Sequence, residues 1–359
     1  MPVSLLYADQ PDVTFRKVRP LVARETGRST LVDIAAEAGV SVSAVSKVLN
    51  GRTDVAAGTR ARIAALLREN GYQVASRLGF GVVDLLIANL HSPWAEELLN
   101  GTVQAADEAA ASVVVSTVDS PAGFTRWLDR AAERGTDGAL CVLHLPDSSE
   151  LQRLAAARIP LVVIDPPEEP GAGIRSVGTT NWQGGLTATR HLIELGHRRI
   201  GVIGGPEPLW SSRARLAGYR AALQAAGLPA AAKLVRRDDF CPDGGRRQAG
   251  YLLDLPEPPT GIVAGNDSQA FGVLQALAER GLRAPADLSV IGFDDVPVAS
   301  WATPALTTIR QPLAAMAATA FRMLHGGAAG GAAGRADEPQ HIELATTLVI
   351  RDSTAPPTR

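Results

Sequence analysis

At 359 residues the chain is longer than one ordinary compact core, so about two or three domains are expected. Hydrophobic residues make up 46% and charged residues 20%, a globular composition, and no apolar run reaches the roughly 20 residues needed to span a bilayer. A formal charge of −2 argues against an evenly basic nucleic-acid coat, and two distant cysteines, Cys141 and Cys241, argue against a disulfide framework or a zinc site.

Residues 1–27 contain Pro2, Pro11 and Pro20 and no sustained period, so they read as a disordered arm or as an over-long start of the reading frame. Val3 to Tyr7 is briefly apolar, but the basic start and cleavage site of a secretory signal are missing. The expected location is the cytoplasm, with no membrane partner. Residues 28–80 then hold seven Lys/Arg against four Asp/Glu. That local excess of three positive charges fits a phosphate-facing surface and a solvated helical surface equally well.

Three short helices are predicted within 28–72. Leu31, Ile34, Ala35 and Ala38 recur at helical spacing, as do Val42, Val45, Val48 and Leu49, and then Ile63, Leu66 and Leu67. The run Thr30 to Asn50, TLVDIAAEAGVSVSAVSKVLN, has the parts of a helix-turn-helix. Thr30 can cap the first helix with Asp33 at the capping-box position, Ala35 is small where two helices must meet, and Gly39 permits the left-handed residue that ends the helix. Val40 fills the angle between the helices and Ser41 can cap the second one. That helix presents Val42, Ser43, Ser46, Lys47 and Asn50 outward, with its N-terminal end suited to the major groove. An ordinary three-helix packing motif would share the Ala/Gly/Val spacing.

The longer string resembles the head of the lactose-repressor and galactose-repressor family, through Thr30 to Ser41, Val45 to Asn50, Val55 to Arg60 and Gly71-Tyr72. The resemblance implies that Val42, Ser43 and Lys47 read base edges, Lys47 standing where Arg is commoner and able to donate to guanine O6 or N7. It also implies phosphate contacts from Thr30, Ser41, Ser46, Asn50 and Thr59. One departure is the linker. Only residues 73–81 separate Tyr72 from the first strand, several fewer than the family's hinge helix and linker occupy. Leu78 therefore has two readings, a wedge between base steps in the minor groove or a cover for the following lobe.

From residue 82 apolar runs alternate with amphipathic segments. Strands are predicted at Val82–Ala88, Ser112–Val118, Gly138–Leu143, Pro160–Ile164, Arg199–Ile203, Gly261–Ala264 and Leu288–Gly292, with helices such as Pro93–Ala110, Asn181–Leu195, Ser211–Ala226 and Asp267–Arg280 between them. This alternation predicts doubly wound parallel sheets, and its length predicts two lobes around a cleft. The overall fold class is thus a small all-α helix-turn-helix head plus a two-lobed α/β body. The Gly/Ala run Gly326 to Arg335 is expected to be a flexible loop before a last strand, His341–Ile350.

Asn266 and Asp294 each follow an apolar strand, where ligands of open α/β sheets bind. Arg215 lies near a helix start, and Trp94 and Phe240 lie in loops near strand ends. These residue types suit a polyol, which is held by planar bidentate groups on its hydroxyls and an aromatic face on its C–H surface. The body also resembles the same family and its periplasmic-binding-protein-like fold, through His191 to Ile200, Arg213 to Leu223, Gly265 to Asp267, Val290 to Asp295 and Leu306 to Gln311. That resemblance implies cleft positions for Asp165, Arg215, Phe240, Asn266 and Asp294 and, on shorter strings, for Trp94 and Gln311. It also implies lobe 1 at about 82–177 and 308–328, lobe 2 at about 178–307 and 335–351, and a tail over 352–359.

Gly201 to Gly205 lacks GxGxxG spacing, and no Ser/His/Asp set, phosphate-loop lysine or carboxylate pair is apparent, so neither catalysis nor a cofactor or metal is expected. The expected function is a homodimeric regulator, a repressor by reading, of a carbohydrate-utilisation operon. Its partners would be a near-palindromic DNA operator and a small sugar-like effector. A sugar-binding module and a sugar-modifying enzyme of the doubly wound class are the alternatives.

Overall fold

A computed structural model of the chain describes residues 30–49, 55–70, 81–88, 90–171, 173–329 and 341–358. The arm 1–27, Asn50 and Leu78 lie outside the described residues. The chain divides into two compact units, Met1–Arg77 and Leu78–Arg359.

The first unit contains helices α1 (Leu31–Ala38), α2 (Val42–Leu49) and α3 (Ala57–Glu69). Thr30 caps α1 through a reciprocal box: its hydroxyl oxygen accepts from the Asp33 N–H (3.3 Å) and the Asp33 carboxylate accepts from the Thr30 N–H (2.8 Å). Gly39 ends α1 at φ 63°, ψ 38°, the left-handed conformation that costs a side chain about 1 kcal/mol or more. Ile34, Ala35, Ala38, Val45, Val48, Ile63 and Leu67 close a small core. Arg62 ties α3 to the end of α1 by donating to the Ala38 carbonyl at 2.6 Å, where helix carbonyls lack internal partners.

The second unit has two six-stranded sheets. In the first lobe, β1 (Val82–Ile87), β2 (Ser112–Thr117), β3 (Gly138–Val142), β4 (Leu161–Ile164) and β5 (Ser176–Thr179) alternate with α4 (Pro93–Glu108), α5 (Pro121–Arg134) and α6 (Ser148–Ala157). The second lobe runs α7 (Asn181–Glu194), β6 (Ile200–Gly204), α8 (Trp210–Ala225), β7 (Val235–Arg237), α9 (Pro242–Leu253), β8 (Gly261–Ala264), α10 (Asp267–Glu279), β9 (Ser289–Asp294), α11 (Val298–Trp301) and β10 (Thr307–Arg310). The chain returns to the first lobe with α12 (Leu313–Ala329) and β11 (His341–Leu344), then ends in the second with β12 (Thr347–Val349). Sheet orders are β11-β5-β4-β3-β1-β2 and β12-β10-β9-β8-β6-β7. Every pairing is parallel except β10 with β12. Central strands such as β3, β8 and β9 are buried along their whole length, as strands covered by helices on both faces must be.

Three sequence expectations need correction. The predicted last strand, 341–350, is two strands in two different sheets, so the segment 335–351 does not belong to the second lobe alone. Residues 307–310 pair with β9 and so lie in the second lobe, and the return to the first begins only after Gln311. The Gly/Ala run does not start as a loop, because α12 continues through Gly326 and Gly327 to Ala329, helped by a long apolar helix already packed on α4 and β4. The tail is bound as well: the Ser353 hydroxyl donates to the Val290 carbonyl at 2.6 Å, and the Ser353 carbonyl accepts from the Val290 N–H.

Candidate functional site

On the head, α2 separates two faces. Val45 and Val48 are buried, whereas Val42 (42% exposed) and Ser43 lie on the outer face of the first turn, and Lys47 follows Ser43 by one helical turn. Ser41 caps α2, its hydroxyl oxygen accepting from the Ala44 N–H at 3.2 Å. Thr30, also at a helix start, donates its hydroxyl to Asp33 at 2.7 Å. Ser46 is half-buried on α2 and Thr59 half-buried in the first turn of α3. The head therefore offers a helix N-terminus flanked by small polar groups, with one lysine a turn further on.

In the body, all seven residues expected at the cleft line one cavity of about 500 Å³ between the lobes. Trp94 comes from the first turn of α4 and Asp165 from the end of β4. Arg215 comes from the second turn of α8, Phe240 from the loop before α9, Asn266 from the cap of α10, Asp294 from the end of β9, and Gln311 from the connection after β10. The strand ends here hold Leu143, Asp165, Asp294 and Asp295 at positive φ, a conformation that side chains adopt only where surrounding structure imposes it.

Arg215 organises the centre. Its Nε donates to Asn181 Oδ1 at 2.8 Å, one terminal nitrogen donates to the Gly265 carbonyl at 2.6 Å, and the same nitrogen lies 3.9 Å from Asp294 Oδ1. The guanidinium stacks 3.7 Å from the Phe293 ring centroid and 5.7 Å from that of Phe240. The position of Arg215 depends on helix crossing. A Cβ at Gly185 of α7 would collide with the Arg215 backbone, and one at Gly218 of α8 with the Trp182 carbonyl. Phe240 covers Gly205 in the same manner, since any side chain there would overlap its ring.

Three carboxylates converge on this one guanidinium. Burial pushes Asp294 up to about 7, opposed by Arg215 and by the Gln311 amide, which donates to Oδ1 at 2.6 Å. Burial also raises Asp165, against the pull of Arg215. Asp267, wholly buried, is raised further by burial and by Asp294, although it accepts from the Thr308 hydroxyl (2.6 Å) and the Val296 N–H (3.0 Å). Such a floor supplies both hydrogen-bond donors and acceptors near neutral pH. Aromatic walls from Trp94 and Phe240 stand above it.

Gln311 faces inward more than the sequence suggests. Its amide oxygen accepts from Thr179 Oγ1 at 2.9 Å while its nitrogen holds Asp294, so it positions a cleft carboxylate from the lobe connection. Sequence reasoning missed Asn181, Asp267 and Phe293 as supports of Arg215, and Ser211 and Phe271 as lining residues. Asn181 and Asp267 each begin a helix directly after a strand, a signal that was available; Phe293 reads as core from sequence. Among the described residues, no group of three His, Cys, Asp or Glu side chains could hold a metal ion, and no helix is long and apolar enough to cross a membrane.

A helix-turn-helix unit together with a two-lobed binding body defines a DNA-binding transcriptional regulator. A family model described as bacterial regulatory proteins, lacI family, matches residues 30–74, and one described as a periplasmic binding protein-like domain matches residues 189–354. The transcriptional regulator DegA of Bacillus subtilis is 31% identical over 339 residues, covering 92% of this chain and 99% of its own. The transcriptional repressor PurR of Escherichia coli is 33% identical over 335 residues, covering 91% and 97%. Among solved structures, the regulator CelR in complex with cellobiose is 32% identical with a TM-score of 0.68, covering 91% of this chain and all of its own. The lac repressor dimer bound to operator and the anti-inducer ONPF is 28% identical with a TM-score of 0.67, covering 92% of this chain and all of its own. The chain belongs to the LacI family of bacterial transcriptional regulators. Regulators of this family bind DNA and small-molecule effectors as dimers, and the family is regulatory rather than catalytic.

Proposed function

We propose that the protein is a homodimeric repressor of a carbohydrate-utilisation operon, acting in the cytoplasm, and that a small sugar bound between its lobes controls its grip on a near-palindromic operator. The observation that carries the effector half is the convergence of Arg215, Asn266, Asp294 and Asp165 beneath Trp94 and Phe240 in one interlobe cleft. Bidentate amide, carboxyl and guanidinium groups match vicinal hydroxyls, and an indole or phenyl face matches the C–H side of a sugar ring. Two relatives support the class: CelR was solved with cellobiose, and an Enterococcus faecium regulator of the family, 26% identical with a TM-score of 0.68, with ribose.

On the head, Val42, Ser43 and Lys47 read base edges, and Thr30, Ser41, Ser46, Asn50 and Thr59 orient it on phosphates. The test is fluorescence anisotropy on operator DNA at one fixed salt concentration, because phosphate contacts make affinity steeply salt-dependent. Titrating cellobiose, ribose and other sugars should shift operator affinity for one of them. A response to adenine alone would replace the sugar reading, and no response to any ligand would remove the sensor. In the same assay Lys47→Ala should cost about 1–3 kcal/mol on the cognate operator and relax preference at one base pair. Equal loss on all sequences would reassign Lys47 to the phosphates.

A further inference from the structure

A second cavity, of about 580 Å³, lies beside the lobe connections and is as large as the effector cleft. The effector cleft takes its first-lobe walls from the β1, β3 and β4 ends, whereas this cavity takes its own from β4, β5 and the edge strand β11. Its second-lobe wall is the first turn of α7 and the first two turns of α8. Asp165, at the end of β4, stands between the two spaces and lines both.

Two indoles face the cavity. Trp182 is 45% exposed, unusual for so large an apolar side chain in the first turn of a helix. The Trp210 ring lies 5.5 Å from the imidazole of His341, tilted by 38°, and the Trp210 backbone N–H donates across the lobes to the Pro167 carbonyl at 2.6 Å. His341 Nδ1 is engaged with the Ser176 hydroxyl at 2.9 Å, but its Nε2 is buried without a hydrogen-bond partner, 3.9 Å from the Glu343 carboxylate. Glu169 adds a second exposed carboxylate. The cation in the wall, Arg213, directs its guanidinium to the carbonyls of Pro208 (2.5 Å) and Glu207 (3.4 Å). Aromatic faces and carboxylates thus meet in a space whose guanidinium points to backbone carbonyls.

We propose that this cavity is a second small-molecule site, selective for a flat organic cation. The ring would lie against the indole of Trp182 or Trp210, where the π-face attracts positive charge, and its N–H groups would donate to Glu343 and Glu169. Because the walls come from both lobes, an occupant would bias the lobe arrangement and so be linked thermodynamically to the effector cleft.

The test uses the full chain and benzamidinium as probe, with neutral benzamide as its isostere, read by tryptophan fluorescence and calorimetry at pH 7. Saturable benzamidinium binding is expected, with benzamide at least about fivefold weaker. Trp182→Ala should weaken the cation by about fivefold or more and Glu343→Gln by about threefold, both at solvent-exposed positions that leave the fold intact. Trp94→Ala, in the effector cleft, should leave benzamidinium affinity unchanged. The proposal is overturned by absence of saturable binding, by equal binding of benzamide, by indifference to both cavity variants, or by loss of binding in Trp94→Ala.

Discussion

At Asp294, burial lifts the carboxyl to about 7 from an ordinary 3.8, which gives the body a titration near neutrality. Between those values the folded protein holds a proton that the unfolded chain has released, so this group's contribution to stability falls as pH rises from about 4 to about 7 and then levels off. The raised carboxyls of Asp165 and Asp267 act in the same direction. Burial depresses the imidazoles of His191 and His197, whose contribution runs the other way, stability growing as pH climbs towards 6.5. The Asp294 share is isolated by comparing wild type with Asp294→Asn. The variant should gain Tm relative to wild type on going from pH 5.5 to pH 8, since only the wild type must bury a newly formed charge. A Tm difference that is the same at both pH values would show that Asp294 does not titrate there.

At the scale of elements, the α7 and α8 crossing fixes where Arg215 stands. Gly185→Ala forces a methyl into the Arg215 backbone, and separating two packed helices costs about 1–3 kcal/mol. The informative control is Gly227→Ala. Gly227, unlike Gly185, has a positive φ, 66°, and open space around it, so its cost of about 1–2 kcal/mol is conformational only. Both variants should lower the denaturation midpoint, yet only Gly185→Ala should also abolish effector binding; equal effector binding in the two would separate Arg215 placement from the crossing. The same scale shows what was legible in the sequence. β1, β3, β6, β8 and β9 were readable because strands buried on both faces are continuous apolar runs bounded by turns. The strand β7 is only three residues long, and β5 (Ser-Val-Gly-Thr) and β10 (Thr-Thr-Ile-Arg) hold one large apolar residue each, so none of the three carries such a run. The division of 341–350 between two sheets was not readable, because local alternation says which residues form strands and nothing about which sheet receives them. Strand-end position gave Asn266 and Asp294, and family resemblance the other cleft residues. The supporting roles of Asn181, Asp267 and Phe293 depend on contacts from distant elements, so no local pattern announces them.

Across the whole body, three chain connections join the lobes, and side chains lace them together. Thr180 on the first connection meets Thr346 on the third, hydroxyl to hydroxyl at 3.0 Å, while its N–H donates to the Leu344 carbonyl at 3.0 Å. Thr179, at the end of β5, donates to Gln311 on the second connection, and Gln311 in turn holds Asp294 in the cleft. Gln311 thus joins Asp294 to the hydrogen bond between two lobe connections, the kind of element at which a hinge can convert ligand contact into lobe rotation. Thr179→Val keeps the shape and removes that one donor, leaving the Gln311 oxygen short of a partner at a cost of about 1–3 kcal/mol. If the link transmits the effector signal, the effector-induced change in operator affinity should shrink severalfold while effector affinity in the absence of DNA stays within about threefold, because coupling energy and site affinity are separate quantities. The same anisotropy titration measures both. A variant that loses thermal stability but keeps the full effector-induced shift would make the Thr179 to Gln311 bond a structural clamp with no part in signalling.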